Sequence, residues 1–371
     1  MTAAPTVRPI DADEHLAFIR RQPSASFLQT PAWARVKTEW RPESLGFYSC
    51  EELVGVALVL HRQLPKLRRT LAYLPEGPVL DWSRDDVSDL IAAMTKHLQA
   101  GGAFAVRMGP PVISRRWGAA TLKAAIADPA LTRLGDVPAD EVDPVGTRVV
   151  DLLDSTGWTH QVGVGGFTAG QPRYNFQLPL AGDEAAVLKG MNQLWRRNIK
   201  KSDKEGVVVS VGTRADLVSF HSVYAETAQR DHFTARPLAY FETMYDALNA
   251  EEPDRLQLYL AHHDGDLVAA TTMVRVGEHA WYSYGASTTA KREVRGSNAI
   301  QWRMVRDAIA AGAGVYDLRG ITDTLDPEDS HIGLLQFKVG TGGQAVEYAG
   351  EWDLPLSRVL YKLFDFYMKR R

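Results

Sequence analysis

The segment that decides the fold of this chain runs from residue 281 to residue 343. It contains WYSYGAS (281–287), RGSNAIQWRMVRDAIAAG (295–312), VYDLRG (315–320) and GLLQFKVGTGG (333–343). Apolar periodicity predicts a strand, a helix, a buried strand, a polar loop and a last strand that ends in glycines. Tyr282 and Tyr284 are two residues apart, so a regular strand directs both phenols to one face. We predict that they form one wall of a polar ligand site, with Phe337 and Lys338 on rigid backbone beside the glycines.

The first half of the chain has the same order of elements. Three strands are predicted from LGFYSC (45–50), LVGVALVLH (53–61) and TLAYLP (70–75), then a helix with apolar residues at helical spacing, then the strand AFAVRM (103–108). In the second half, Asp264-Gly265 separates two strands and predicts a tight hairpin. We therefore predict an α/β (α+β) fold of two similarly built domains. One comprises residues 1–170 and 350–371, and the other residues 171–349, with their joint in the glycine-rich stretch 163–172.

Composition excludes several classes of protein. The chain has 371 residues and a net charge of −3, so no strong positive field points to nucleic acid. Cys50 is the only cysteine, which excludes an internal disulfide and a cysteine-cluster metal site. The N-terminal residues do not resemble a secretory signal, and the longest apolar run, 53–60, is shorter than the ~20 residues that span a bilayer. We expect a cytoplasmic protein.

No motif for a protein nucleophile, a metal or a nucleotide cofactor is present. His262-His263-Asp264 lies at the predicted hairpin turn and is expected to be a turn, not a metal site. We therefore expect no cofactor and a reaction in which a substrate brings the nucleophile.

Three sets of side chains are candidates for anion binding. Lys37 lies one turn after Trp33 on a short helix, and Arg236 lies four residues before Tyr240, off the apolar stripe of another helix. An arginine beside a tyrosine suits a carboxylate or a phosphate. A single helix predicted over about 183–204 carries cations that bind phosphates or form a solvated face. These cations are Arg196, Arg197, Lys200, Lys201 and Lys204.

The repeated unit of three strands, a helix and a strand resembles the core of the GCN5-related N-acyltransferases. In that family a loop of the form R/Q-x-x-G-x-G/A opens the helix and holds the pyrophosphate of coenzyme A. Here the segment reads VRGSNA (294–299), with one glycine kept and Asn298 in place of the second. A coenzyme A-dependent N-acyltransferase is therefore an alternative.

Seven motifs in order resemble the FemABX family of tRNA-dependent aminoacyltransferases, which build peptidoglycan cross-bridges. They are SFLQTPAWARVK (26–37), AYLPEGPVLDW (72–82), RRNIKKSDKEGV (196–207), RDHFTARPLAYF (230–241), WYSYGAS, YDLRG and GLLQFKVGTGG. The resemblance implies two acyltransferase-like domains. The long helical arm of some members is expected to be absent, because only a short turn fits between residues 249 and 255. Gly109 occupies the place of an aspartate that some members have after a first-domain strand.

The resemblance also implies an activity and its partners. The reaction would move an amino acid from aminoacyl-tRNA to an amine of a nucleotide-linked (UDP-linked) or lipid-linked muropeptide, with peripheral membrane contact as a further expectation. It needs no ATP, because the donor ester is already activated. Glycine, alanine and serine all remain open as the transferred amino acid. A non-catalytic muropeptide- or RNA-binding module and tRNA-dependent aminoacylation of a peptide natural product remain alternatives.

The resemblance places roles on individual residues. The transfer centre falls on Phe337 and Lys338. The muropeptide site falls on five side chains: Lys37, Arg236, Tyr240, Tyr282 and Tyr284. For tRNA, the basic face at 196–204 is one option, and residues 66–69 and 369–371 are two others.

Overall fold

The computed structural model describes residues 4–64, 67–161 and 170–368, which form two compact units. The first unit comprises the described residues of 1–116, 139–174 and 346–371, and the second comprises 117–138 and 175–345. The predicted domain boundaries, 1–170 with 350–371 and 171–349, stay a prediction, and residues 163–169 of the predicted joint lie outside the described residues.

The elements follow the chain in this order. Up to residue 160 they are β1 (Thr6–Pro9), α1 (Ala12–Arg20), α2 (Pro31–Val36), β2 (Arg41–Ser49), β3 (Glu52–Gln63), β4 (Thr70–Leu74), β5 (Val79–Leu80), α3 (Val87–Ala100), β6 (Ala103–Met108), β7 (Ile113–Gly118), α4 (Ala119–Ala127), β8 (Glu141–Val142), α5 (Pro144–Ser155) and β9 (Thr159–His160). After residue 160 the elements are β10 (Tyr174–Pro179), α6 (Glu184–Gly190), α7 (Gln193–Lys204), β11 (Val208–Gly212), α8 (Leu217–Arg230), α9 (Leu238–Glu251), β12 (Leu256–His263), β13 (Asp266–Val276), β14 (His279–Ser287), α10 (Gly296–Ala310), β15 (Val315–Ile321), α11 (Ile332–Val339), β16 (Gln344–Tyr348), β17 (Trp352–Pro355) and α12 (Arg358–Met368).

The first unit is built on a mixed sheet with the strand order β1-β2-β3-β4-β6-β17-β9. The strands β2, β3 and β4 form an antiparallel meander, and β6 is parallel to β4 after the crossover through α3. Helix α3 buries Leu90, Ile91 and Met94 in the same core as Phe47 of β2, because these three positions share one helical face. The predicted order of three strands, a helix and a strand is confirmed.

The second unit repeats this order on a sheet whose strands run β11-β12-β13-β14-β15-β10. Asp264 and Gly265 both have positive φ angles (51° and 84°), which the tight turn between β12 and β13 requires. Strand β15 pairs in parallel with β14 only from His279 to Trp281, after the crossover through α10. Helices α8 and α9 pack Phe220 and Phe241 against the sheet.

Two predicted elements are wrong. Residues 333–343 do not form a strand. Most of this segment belongs to the helix α11, on which Leu335, Lys338 and Val339 are buried. The helix predicted over 183–204 is two helices, α6 and α7. Asn192 interrupts it, since its side chain accepts a hydrogen bond from the backbone N–H of Trp195 at 2.8 Å and caps α7.

The longest helix in the part of the chain that the structure describes is α10, with 15 residues. The expected absence of a long helical arm is therefore confirmed for residues 249–255, where α9 ends and a short turn leads to β12. No helix among the described residues is both long and apolar enough to cross a bilayer.

Candidate functional site

A cavity of about 530 Å³ lies in the second unit. Its walls come from α7, the end of α8, strands β13 and β14, the start of α10, and α11. Its lining includes the aromatic residues Trp195 and Phe337 and the polar residues Arg292, Arg295 and Asn298. A pocket of this size with a few convergent polar groups is typical of a ligand site.

A bulge in β14 directs Tyr282 into this cavity. Tyr284 pairs with Thr272, but Tyr282 pairs with the next residue, Met273, so Ser283 is an extra residue in the strand. The two tyrosines consequently lie on opposite faces of the sheet, and the prediction that they share one face is wrong. A side chain at Gly285 would collide with the Tyr282 phenol, so this glycine makes room for it. Burial raises the pKa of Tyr282 to about 12, which keeps the phenol a hydrogen-bond donor at neutral pH.

The start of α10 is an uncapped helix N-terminus at the wall of the cavity. Arg295 precedes the helix in the left-handed region (φ 65°), and no side chain caps the first turn. Asn298 is only 6% exposed, and its Nδ2 has no hydrogen-bond partner among the described residues. Gly296 brings the helix close to β13, where a Cβ would lie 2.8 Å from Cγ2 of Val268. Free amides, a buried amide donor and Arg295 together favour an anion.

The cations around this helix start differ in their partners. Lys291 forms an ion pair with Asp266, with Nζ 2.8 Å from the carboxylate. Arg292 and Arg295 form no ion pair with the residues that the structure describes, and both are exposed. The cavity therefore has two cations available for a negatively charged ligand.

Phe337 forms part of the apolar wall. Its ring lies 4.7 Å from that of Trp195, and the indole Nε1 donates a hydrogen bond of 2.8 Å to the Phe337 carbonyl. Asn192, the residue that caps α7, also holds this segment, because its backbone N–H donates a hydrogen bond to the carbonyl of Gly340, three residues after Phe337. These contacts fix Phe337 at the cavity wall.

Lys338 does not line the cavity. Its side chain is buried (3% exposed), and Nζ donates hydrogen bonds to the carbonyls of Gly320 at 2.7 Å and Arg319 at 3.3 Å. Burial lowers the pKa of its ammonium to about 7, although the nearby Asp317 carboxylate opposes this. Lys338 thus holds the end of β15, where Arg319 has a positive φ of 64°.

A second group lies on the opposite face of β14. The Arg236 guanidinium stacks 4.6 Å from the centre of the Tyr240 ring, and the Tyr240 hydroxyl lies 3.1 Å from that of Tyr284. Burial raises the pKa of Tyr240, so the phenol stays neutral. The structure thus brings together three of the five predicted substrate-binding residues, Arg236, Tyr240 and Tyr284. Tyr282 lies in the cavity.

Lys37 lies in the first unit, directly after α2. Its Nζ is 5.5 Å from the centre of the Trp33 ring, and its carbonyl accepts a hydrogen bond from Trp40. The predicted placement of Lys37 one turn after Trp33 is confirmed.

The predicted tRNA-binding cations are not equivalent. Arg196 donates hydrogen bonds of 2.9 Å to the carbonyls of Lys189 and Met191, so it stabilises the end of α6. Arg197 and Lys200 are exposed, and Lys201 is half-buried. Of the other two options, residues 65–66 and 369–371 lie outside the described residues.

The sequence indicated the start of α10 only through the coenzyme A alternative, which placed a pyrophosphate at residues 294–299. The cavity itself, with Trp195 and Tyr282 in its lining, was not predicted. The available signal was the absence of a capping residue before the helix together with Arg292 and Arg295. Among residues 4–64, 67–161 and 170–368, no group of His, Cys, Asp and Glu could hold a metal ion.

Comparison with known proteins gives consistent matches along the chain. The FemAB family matches residues 10–264 and 249–369. A protein of Staphylococcus aureus named lipid II:glycine glycyltransferase is 24% identical over 429 aligned positions, covering 96% of this chain and 94% of the relative. A crystal structure of FemX has a TM-score of 0.80 at 23% identity, covering 96% of this chain and 99% of FemX.

More distant structures share the same architecture. A tandem GNAT protein from the clavulanic acid biosynthesis pathway has a TM-score of 0.53 at 10% identity, covering 95% of this chain and 99% of that protein. The predicted α/β fold of two GNAT-like domains is confirmed. Since the family match extends over nearly all of its residues, this chain belongs to the FemAB family.

Proposed function

We propose that the protein is an aminoacyltransferase that moves an amino acid from aminoacyl-tRNA to an amine of a lipid-linked peptidoglycan precursor. Membership of the FemAB family and the names of the relatives, lipid II:glycine glycyltransferases, support this reaction class and this acceptor. Glycine is the first donor to test for the same reason. The observation that carries the proposal is the cavity at the start of α10, because it offers a site for the charged donor.

The cavity suits the 3′ end of a charged tRNA. The uncapped α10 amides, Asn298 and Arg295 provide donors for a phosphate, and Arg292 adds a second cation. The rings of Trp195 and Phe337, tilted by 45° to each other, provide an apolar wall against which a nucleobase packs. Tyr282 adds a neutral hydroxyl donor within the cavity. A nucleotide carrying an ester therefore finds both a phosphate site and a stacking site.

Phe337 and Lys338 are proposed as the transfer centre. Phe337 lines the cavity, and Lys338 is its neighbour on α11, with its ammonium bonded to the carbonyls at the end of β15. In this arrangement Phe337 helps to orient the ester at the cavity wall, and Lys338 acts from outside the cavity by holding the backbone at the end of β15.

Arg236, Tyr240 and Tyr284 of the second unit are proposed to bind the acceptor, and the role of Lys37 in the first unit stays a prediction. Arg236 presents an exposed guanidinium on the Tyr240 ring, which suits the phosphates or carboxylates of a muropeptide. The two phenols, which share a hydrogen bond, supply further donors. Nucleotide-linked and lipid-linked muropeptides carry this chemistry in common.

The protein is proposed to work at the inner face of the membrane, since its acceptor would be lipid-linked. Helix α12 supports this placement. Its residues Leu360 and Phe364 pack against the first unit at Phe104, whereas Val359, Leu363 and Phe366 are exposed at i, i+4 and i+7. An apolar stripe of this kind suits the interface of a bilayer. Co-sedimentation with anionic lipid vesicles tests it, and unchanged binding of a Leu363→Gln/Phe366→Gln variant would contradict it.

One alternative donor is an acyl-coenzyme A, because the uncapped start of α10 also suits the pyrophosphate of coenzyme A. A binding experiment separates the two. A fluorescent RNA minihelix that ends in a non-hydrolysable 3′-aminoacyl amide is titrated with protein, and acetyl-coenzyme A is added as a competitor.

The proposal predicts that Arg295→Ala weakens minihelix binding about tenfold. The slope of log K against the logarithm of the salt concentration should become about one unit less steep. Arg306→Ala is the matched control, because Arg306 is on the same helix but pairs with Glu184 and does not line the cavity. Equal effects of both substitutions, or displacement of the RNA by acetyl-coenzyme A, would count against the tRNA donor.

A further inference from the structure

A second concave region of the second unit takes no part in the site described above. This groove has a volume of about 440 Å³ and lies between the sheet and the second half of α10. Strands β12 and β13 contribute Gln257, Met273 and Arg275 from one face of the sheet, because Gln257 pairs with Met273 and Arg275 follows two residues later. Helix α10 contributes Arg303 and Asp307. All residues that line the groove belong to the second unit, so it is formed by that unit alone.

Two of the charged groups in the groove already neutralise each other. Nε of Arg303 donates to both oxygens of the Asp307 carboxylate, at 2.8 and 3.0 Å. The hydroxyl of the fully buried Tyr259 lies 3.0 Å from Oδ2 of Asp307 and 2.9 Å from Oε1 of Gln257. This network fixes Asp307 and orients the Gln257 amide, whose Nε2 is left as a donor.

The other two charged groups have no such partners. Arg275 is half-buried and Asp254 is exposed, and neither side chain forms an ion pair or a hydrogen bond with the residues that the structure describes. A half-buried guanidinium has lost part of its hydration without gaining a counter-ion, which is unfavourable unless a ligand supplies the negative charge. One cation and one anion in the groove are therefore available to a ligand.

The rest of the lining is small and apolar. Val211 and Met273 line the groove from the sheet, and Ala310 lines it from the last turn of α10. This end of the helix carries the negative end of the helix dipole, which favours a positively charged group. Arg275 together with Nε2 of Gln257 suits a carboxylate. A ligand that fits this groove has a carboxylate, an ammonium group and a small apolar body.

We propose that the groove binds a free α-amino acid with a small apolar side chain, as its zwitterion. The carboxylate lies against Arg275 and Gln257, and the ammonium group lies toward Asp254 and the carbonyl end of α10. Two arginines and two aspartates line the groove, so its charges sum to zero and match a ligand without net charge. A phosphate group would instead be repelled by the two aspartates.

This amino acid site is separate from the cavity at the start of α10. The groove and the cavity share no lining residue. The proposal therefore does not depend on the proposed function, and each of them is tested by a different measurement.

The test is calorimetric titration of the full-length protein with L-alanine at neutral pH. We expect saturable binding with a Kd on the order of 1 mM, as befits so small a ligand. N-acetyl-L-alanine lacks the ammonium group and L-alaninamide lacks the carboxylate, so each should bind at least about tenfold more weakly. Equal binding of either compound would contradict recognition of a zwitterion.

Two variants locate the binding. Arg275→Gln removes the cation and should weaken L-alanine binding at least about tenfold. Arg306→Gln is the matched control, because Arg306 is an exposed arginine that pairs with Glu184 and does not line the groove. Ala310→Phe leaves every polar group of the groove in place and fills its apolar part, so it should abolish binding. Position 310 is exposed, and urea unfolding checks that both variants are as stable as the wild type.

Several results would overturn the proposal. One is the absence of binding when the wild type is titrated with glycine, L-alanine and L-valine. Another is binding of L-alanine that stays unchanged in both Arg275→Gln and Ala310→Phe. Loss of binding in Arg295→Ala alone would place the amino acid in the cavity at the start of α10 instead. None of these results bears on aminoacyl transfer, so the proposed function would stand.

Discussion

Replacing Lys338 with methionine tests the unusual protonation of this buried side chain. Burial lowers the pKa of the Lys338 ammonium from 10.5 to about 7. Between these two values the unfolded chain binds more protons than the folded chain, so raising the pH stabilises the wild type relative to Lys338→Met. One pH unit in this window corresponds to about 1.4 kcal/mol, so the change from pH 7 to pH 9 is about 2 to 3 kcal/mol.

Two opposing effects determine how Lys338→Met changes the free energy of unfolding at any one pH. Removing the buried ammonium relieves its desolvation, but it also leaves the carbonyls of Arg319 and Gly320 without their donor, at about 1 to 3 kcal/mol each. The pH dependence avoids this problem, because the loss of those hydrogen bonds is nearly the same at every pH.

The assay is urea unfolding of wild type and Lys338→Met at pH 7, 8 and 9, with Lys338→Arg as a variant that keeps the charge. The difference in the free energy of unfolding, wild type minus Lys338→Met, is expected to rise by about 2 to 3 kcal/mol over this range. A difference that stays constant from pH 7 to pH 9 would refute the lowered pKa and the burial from which it follows.

Three further substitutions test other parts of the account. Arg236→Lys removes the guanidinium stacked on Tyr240, so KM for the lipid-linked acceptor should rise about tenfold in steady-state kinetics, and an unchanged KM would remove Arg236 from the acceptor site. Burial alone would raise the pKa of Glu43, but hydrogen bonds from His61 and His97 and their charges lower it to about 2. The stability that Glu43 contributes is present above about pH 4.5 and is lost as the pH falls toward 2. As the pH falls from 4.5 toward 2, the free energy of unfolding of Glu43→Gln should therefore decrease by about 1 to 2 kcal/mol less than that of the wild type, with solvent screening taken into account. The same decrease in both proteins would contradict the hydrogen bonds from the two histidines. Asn192→Ala removes the cap of α7 and should lower stability by about 1 kcal/mol in chemical denaturation, whereas a change below about 0.3 kcal/mol would show that the cap is dispensable.

The order of elements could be predicted because it depends on local patterns. The helix α3 follows from apolar residues at helical spacing, and the β12–β13 turn follows from Asp264-Gly265, whose positive φ angles favour these residue types. The pairing of Arg236 with Tyr240 could also be predicted, since residues four apart around a helix start lie close together.

The details of the candidate site depend on contacts that no local pattern contains. The bulge at Ser283 is set by the pairing of β14 with β13, and it reverses the direction of Tyr282 relative to Tyr284. Residues 333–343 read as a strand because a short apolar run has no clear period, and burial of Lys338 on a helix was not expected.

The most direct test of the central claim is the mass of a lipid-linked peptidoglycan precursor after incubation with the protein and charged tRNA. We expect the mass to increase by one amino acid residue, only when the tRNA carries its ester, and not when that ester has first been hydrolysed by mild alkali. A parallel reaction contains acetyl-coenzyme A in place of tRNA. An unchanged precursor with every charged tRNA, together with an acetylated product in the parallel reaction, would contradict the assignment of an aminoacyltransferase.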